Sequence, residues 1–106
     1  MTTVGEPSAG ARDQAAARER LGTLRKRILE VDEALVELVG ERRALVLEIG
    51  RLKAETGLPV LDPAREAAVV RRAAELARER GVDEELTRDV IWRIMASARE
   101  EQEGKG

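Results

Sequence analysis

The chain has no cysteine, no histidine, no tyrosine and no phenylalanine, and a single tryptophan, Trp92. Without cysteine there are no disulfides and no thiolate nucleophile, and without histidine there is no imidazole acid–base catalysis. Zinc sites of the usual kind need those same ligands. If the protein is an enzyme, its reaction needs little proton transfer. Aromatic residues make up 1% of a chain that is 42% hydrophobic, so the core must be built from Leu, Val, Ile and Ala. That palette suits packed helices and fits a β-sandwich poorly. No apolar run approaches the ~20 residues of a membrane span. The first residues lack a signal-peptide core, and cytoplasm is the expected location. Charged residues reach 38%, but the net charge is −2, which gives no general attraction to nucleic acid. With 106 residues, one domain with one modest core is expected.

What is present is a long heptad pattern. Leu21, Leu24, Ile28, Val31, Leu35, Leu38, Leu45, Ile49 and Leu52 alternate spacings of three and four, and Arg42 fills the one gap. The seam is unbroken, with a guanidinium where an aliphatic side chain is expected. A second row beside it runs Arg25, Asp32, Val39, Val46, Lys53. One helical face therefore carries an apolar stripe and three cations: Arg25, Arg42 and Lys53. Gly40 and Gly50 interrupt the pattern at a cost of ~1 kcal/mol each, which a long helix tolerates.

For Arg25 or Lys53 taken singly, a solvated surface charge is the simpler reading. Arg42 sits in the seam, where an unpaired cation is costly, so it needs an anion or a route to water. That anion is either a partner glutamate or a ligand. A helix from about Arg18 to Glu55 spans ~55 Å, whereas a compact chain of this size has a radius of gyration of ~13 Å. A partner chain is the natural cover for the seam; the plain alternative is a long helix with a frayed, solvated end.

Residues 1–16 are small, polar and aperiodic and read as a disordered tail, with helix possible from Asp13. The first helix runs to about Glu55, where Gly57 suits a left-handed cap and Pro59 forbids continuation. Asp62 and Pro63 open a second helix as N-cap and first helical residue, and Gly81 ends it. Asp83 caps a third, with Glu84 and Glu85 in its first turn. The apolar face of that helix runs Leu86, Val90, Ile91, Ile94, Met95, Ala98, and Gln102 extends it with an amide. The expected fold is all-α, with one very long N-terminal helix and two shorter ones over residues 17–103, and residues 104–106 fraying.

The ordered set Leu24-Arg25…Ile28…Val31-Asp32…Leu35…Leu38…Glu41-Arg42-Arg43, Ile49-Gly50…Lys53, Pro59-Val60…Asp62-Pro63…Arg65-Glu66 resembles the all-helical chorismate mutases over residues 20–103. The resemblance implies three helices per chain in an intertwined homodimer. It implies the Claisen rearrangement of chorismate to prephenate, in phenylalanine and tyrosine biosynthesis, with no cofactor and no metal. The step is pericyclic and intramolecular, so catalysis comes from holding a compact conformer and stabilising charge that shifts toward the ether oxygen. Arginine forks suit a dicarboxylate substrate.

By the same resemblance, Arg42 binds a substrate carboxylate from its own chain, and Arg25 binds one from the other protomer. Lys53 donates to the ether oxygen and a carboxylate. Glu66 holds the substrate hydroxyl, Arg65 supports it and Asp62 lies beside it, although an N-cap role alone would explain Asp62. Gln102 contacts the ether oxygen. The family commonly places a serine four residues before that glutamine; here that position is Ala98, and the nearest hydroxyl, Ser97, is turned about 100° away. The alternative register gives the contact to Glu101. Two other functions fit the same cations: rearrangement of an amino analogue of chorismate, and isochorismate–pyruvate lyase activity. A non-enzymatic helical dimerisation module predicts the same helices and seam but does not predict that Arg25, Arg42, Lys53, Glu66 and Gln102 converge on one cavity.

Overall fold

The computed structural model describes residues 8–102, except for the side chain of Gln102. It contains three helices, α1 (Ala9–Thr56), α2 (Pro63–Glu79) and α3 (Glu84–Gln102), and no strand among the described residues. Each boundary has a local chemical cause. Ser8 opens α1: its hydroxyl accepts from the amide of Ala11 at 3.1 Å, and its carbonyl accepts from Arg12 at 2.9 Å. This cap precedes an alanine-rich run of high helix propensity. The helix therefore begins at Ala9, within the stretch that reads as a tail and ahead of the start that the sequence allows at Asp13.

α1 ends at Gly57, whose φ of 72° is the left-handed conformation that glycine adopts without strain. Leu58 then donates back to the carbonyl of Lys53 at 2.9 Å, closing a Schellman motif. Asp62 caps α2 by accepting from the amide of Arg65 at 3.0 Å, and Pro63 stands where no amide donor is needed. Gly81, with φ 68°, repeats the Schellman device at the other end, Val82 donating to Ala77 at 2.8 Å. Asp83 caps α3 through the amide of Leu86 at 2.9 Å. Across this turn Arg78 hydrogen-bonds Glu84 at 2.8 Å, and that bond holds the Glu84 carboxyl below its ordinary range. Its small stabilisation is present above the ordinary carboxylate range and is lost as pH falls through it.

The Gly81 cap gives a direct stability test. Among the described residues, no atom beyond Gly81 and its two chain neighbours lies within 4 Å of a methyl added there, so Gly81→Ala should act through the backbone alone. The variant is expected to lose roughly 1–2 kcal/mol, read as a lower Tm at fixed protein concentration. An unchanged Tm would mean that the cap contributes nothing.

The chain forms two compact units that meet within α1, one up to Leu38 and one from Val39. In the first, every described residue is exposed, including Leu21, Leu24, Ile28, Val31, Leu35 and Leu38 of the heptad seam. In the second, α2 and α3 pack antiparallel, the start of α2 meeting the end of α3. Their contact is made by small or flexible residues: Ala74, Ala77, Met95 and Ala98 are the only buried positions among the described residues. Leu45, Ile49 and Leu52 remain 54%, 49% and 58% exposed. No large aliphatic residue of the seam is buried within the chain.

Candidate functional site

A cleft of about 240 Å³ lies within the second unit. Its floor is apolar: Leu45, Val46 and Ile49 from α1, Val69 from α2, and Met95 and Ala98 from α3. Its polar groups come from three places in the chain. Arg42 and Lys53 project from α1, three turns of helix apart. Asp62, Arg65 and Glu66 come from the cap and first turn of α2, and Arg99 comes from the end of α3. Val60 and Leu61, in the connection between α1 and α2, complete the wall.

The charges in the cleft do not cancel. Among the described residues, four cations (Arg42, Lys53, Arg65, Arg99) face two carboxylates (Asp62, Glu66), an excess of two positive charges. Both carboxylates are already engaged. Asp62 accepts from the Arg65 amide, and Glu66 is ion-paired with Arg99, whose Nη2 lies 2.8 Å from Oε1 and also contacts Oε2. Among the described residues, the side chains of Arg42, Lys53 and Arg65 make no hydrogen bond or ion pair. An apolar-floored cleft with uncommitted cations is suited to a small organic anion, and the two fork-shaped guanidiniums are suited to carboxylates.

Five of the seven residues singled out in the sequence thus share one cleft: Arg42, Lys53, Asp62, Arg65 and Glu66. Arg25 belongs to the first unit and is exposed there. Gln102 is the last residue of α3, and its side chain lies outside the described residues. The alternative contact, Glu101, is committed elsewhere. Its carboxylate is ion-paired with Arg43, which also donates to the Ser97 hydroxyl at 3.2 Å. Ser97 and Arg43 line a separate hollow with Val39, Arg93 and Ile94. The third helix thus presents Met95, Ala98 and Arg99 to the cleft and turns Ser97 toward Arg43, as the 100° offset implied.

The sequence reading missed Arg99. It falls four residues beyond Met95 and seven beyond Trp92, so helical spacing alone places it on the cleft face. Its apolar neighbours and the terminal amide dominate the pattern of that face, and a single arginine among many does not stand out from it.

Comparison with known proteins follows the same residues. The family described as chorismate mutase type II matches residues 24–103. The T-protein of Enterobacter agglomerans is 37% identical over 86 residues, which is 81% of this chain but 23% of that protein. The chorismate mutase of Methanocaldococcus jannaschii is 35% identical over 68 residues, 64% of this chain and 69% of that one. The 4-amino-4-deoxychorismate mutase of Streptomyces pristinaespiralis is 36% identical over 96 residues, 90% of this chain and 74% of that one. The chain therefore spans less than a quarter of the T-protein and about seven-tenths of the other two. No solved structure matches significantly.

Proposed function

The chain belongs to the type II chorismate mutase family, and from that membership we propose that it converts chorismate to prephenate in aromatic amino-acid biosynthesis, acting in the cytoplasm as a homodimer. The observation that carries the reading is the convergence of the uncommitted cations Arg42, Lys53 and Arg65 on one cleft, with Glu66 among them. A dimerisation module without a ligand would instead pair Arg42 with a protein carboxylate and need no cleft.

In the proposed reaction one C–O bond breaks as one C–C bond forms within a single molecule, and no proton moves. Arg42 holds one carboxylate of the substrate, and Arg25 of the other protomer binds a carboxylate from outside the chain. Lys53 donates to the ether oxygen, where negative charge grows as the C–O bond lengthens. A donor aimed at that atom binds the transition state better than the ground state. Gln102 supplies a second donor there through its amide. Glu66 accepts from the substrate hydroxyl, with Arg65 and Asp62 beside it. The apolar floor excludes water and favours the folded conformer in which the reacting carbons meet.

The dimer rests on the exposed seam. No residue of α1 is buried, and the described core holds only three alanines and a methionine. Covering the aliphatic stripe with a second copy would contribute about 25 cal/mol per Å² of apolar surface removed from water.

The substrate is tested by incubating the protein with chorismate, its amino analogue and isochorismate in parallel. The proposal expects fastest turnover with chorismate and prephenate as product. Release of pyruvate from isochorismate as the dominant activity would make the protein a lyase instead.

The pH profile tests the register of α3. With no proton transfer and no histidine, turnover is expected to be nearly flat between about pH 5.5 and 8, where model carboxylates and ammonium groups change little. Gln102→Glu should change that. Its carboxylate would oppose the charge forming on the ether oxygen, so turnover would rise steeply as pH falls. A flat profile in both proteins would remove Gln102 from the site.

A further inference from the structure

Resting on the reading above, we infer that Arg99 selects the substrate: it makes the Glu66 end of the cleft accept a neutral hydroxyl and reject an ammonium group. Arg99 is a positioning and specificity residue in this account, acting through Glu66 and through its own charge.

The geometry begins with where Arg99 is held. Its guanidinium carbon stands 5.5 Å from the centroid of Trp92, the chain's one aromatic ring, two helical turns earlier on α3. That is cation–π distance. From this seat its Nη2 reaches both oxygens of Glu66, in the first turn of α2. The two side chains are 31% and 27% exposed, so the pair is partly withdrawn from water and only partly screened.

Two consequences follow for a ligand group placed at Glu66. Each carboxylate oxygen has roughly two acceptor positions. The contacts with Arg99 use one on each, which leaves Glu66 able to accept from a hydroxyl. The charge available to a cation is another matter. Glu66 on its own would present a full negative charge, an ideal partner for an ammonium. Paired with Arg99 it presents almost none, the guanidinium lies against the same two oxygens, and the other carboxylate at this end, Asp62, is matched by the charge of Arg65 in the same cleft. An amino group in place of the hydroxyl is protonated at neutral pH, as alkyl amines are. It would meet a like charge a few ångströms away, a repulsive element of the kind by which sites reject a near-isosteric competitor. Chorismate and its 4-amino analogue differ at this point, and the family contains relatives named for each. Overall identities of 35% and 36% do not separate the two activities for this chain.

The test measures kcat and KM for both substrates at pH 7 in the intact protein and in Arg99→Leu and Arg99→Lys. The intact protein should prefer chorismate. Arg99→Leu should shift the ratio of kcat/KM values toward the amino substrate by about tenfold or more, chiefly through a lower KM for that substrate. Arg99→Lys, which keeps the charge, should retain the preference. Helical content measured by circular dichroism serves as the folding control, and if the leucine variant does not fold, Arg99→Gln takes its place with the same expectation. An active, folded neutral variant with an unchanged substrate ratio would overturn the role of Arg99 and leave the mutase reading standing. An intact protein that prefers the amino substrate would overturn both the role of Arg99 and the choice of chorismate as substrate, leaving only a mutase of the amino analogue. An intact protein inert toward both would overturn the mutase reading, and this inference with it.

Discussion

Lys53→Ala is expected to lower turnover by ~10² or more while leaving the helices and the oligomeric state intact. The residue is half-buried in the last turn of α1 and lines the cleft. It has no hydrogen bond or ion pair among the described residues through its ammonium group. Removing it therefore leaves no protein carboxylate stranded, and the structural cost should be small. In the proposed mechanism the ammonium group meets charge that develops only as the ether bond breaks, so the catalytic cost should be large. The loss should appear mainly in kcat, with a smaller change in KM from the carboxylate contact. Lys53→Arg would keep the charge but move it and spread it over a planar fork, and should recover only part of the rate. Normal turnover in Lys53→Ala would make the lysine a solvated surface charge and remove it from the mechanism.

The second large effect concerns the assembly. Arg25→Ala and Arg42→Ala are each expected to be nearly inactive alone, each retaining less than ~1% of turnover, because in the proposed site each supplies a carboxylate clamp. Mixing the two variants under conditions that exchange protomers should restore activity. In a mixed dimer, one site takes Arg42 from the Arg25→Ala chain and Arg25 from the Arg42→Ala chain, and is complete. The other site lacks both. With random exchange half the dimers are mixed, and each has one working site of two, so recovery should approach about a quarter of the unmutated activity. If Arg25 served its own chain, no mixture would recover. A compact monomer in sedimentation at micromolar concentration would refute the dimer outright.

How much of this was legible in the sequence depends on how far apart the interacting residues lie. The helix boundaries at Gly57, Asp62, Gly81 and Asp83 could be read directly, because a cap is chemistry between residues three to five apart. The seam was legible because a heptad is a local repeat. The start of α1 was not. The run before residue 17 has no apolar periodicity, and only the hydroxyl of Ser8 and the density of alanine mark Ala9 as helical.

The cleft was legible in part. Arg42 and Lys53 stood out against the apolar face of α1, and Asp62, Arg65 and Glu66 stood out at a capped helix start. The two long-range ion pairs left no local pattern, because Glu66 and Arg99 are 33 residues apart and Arg43 and Glu101 are 58 apart. Once these pairs are seen, the end of α3 changes meaning: Arg99 moves into the site, while Ser97 and Glu101 turn away from it.

The central claim is that this cleft rearranges chorismate using fixed charges alone. It is tested most directly by adding chorismate to the purified protein, without cofactor or metal, and following both chorismate loss and prephenate formation, with Arg42→Ala run beside it. The account predicts prephenate in amounts equal to the chorismate consumed, and near-complete loss of that activity in the variant. Chorismate left intact, or consumed at the same rate without Arg42, would contradict it.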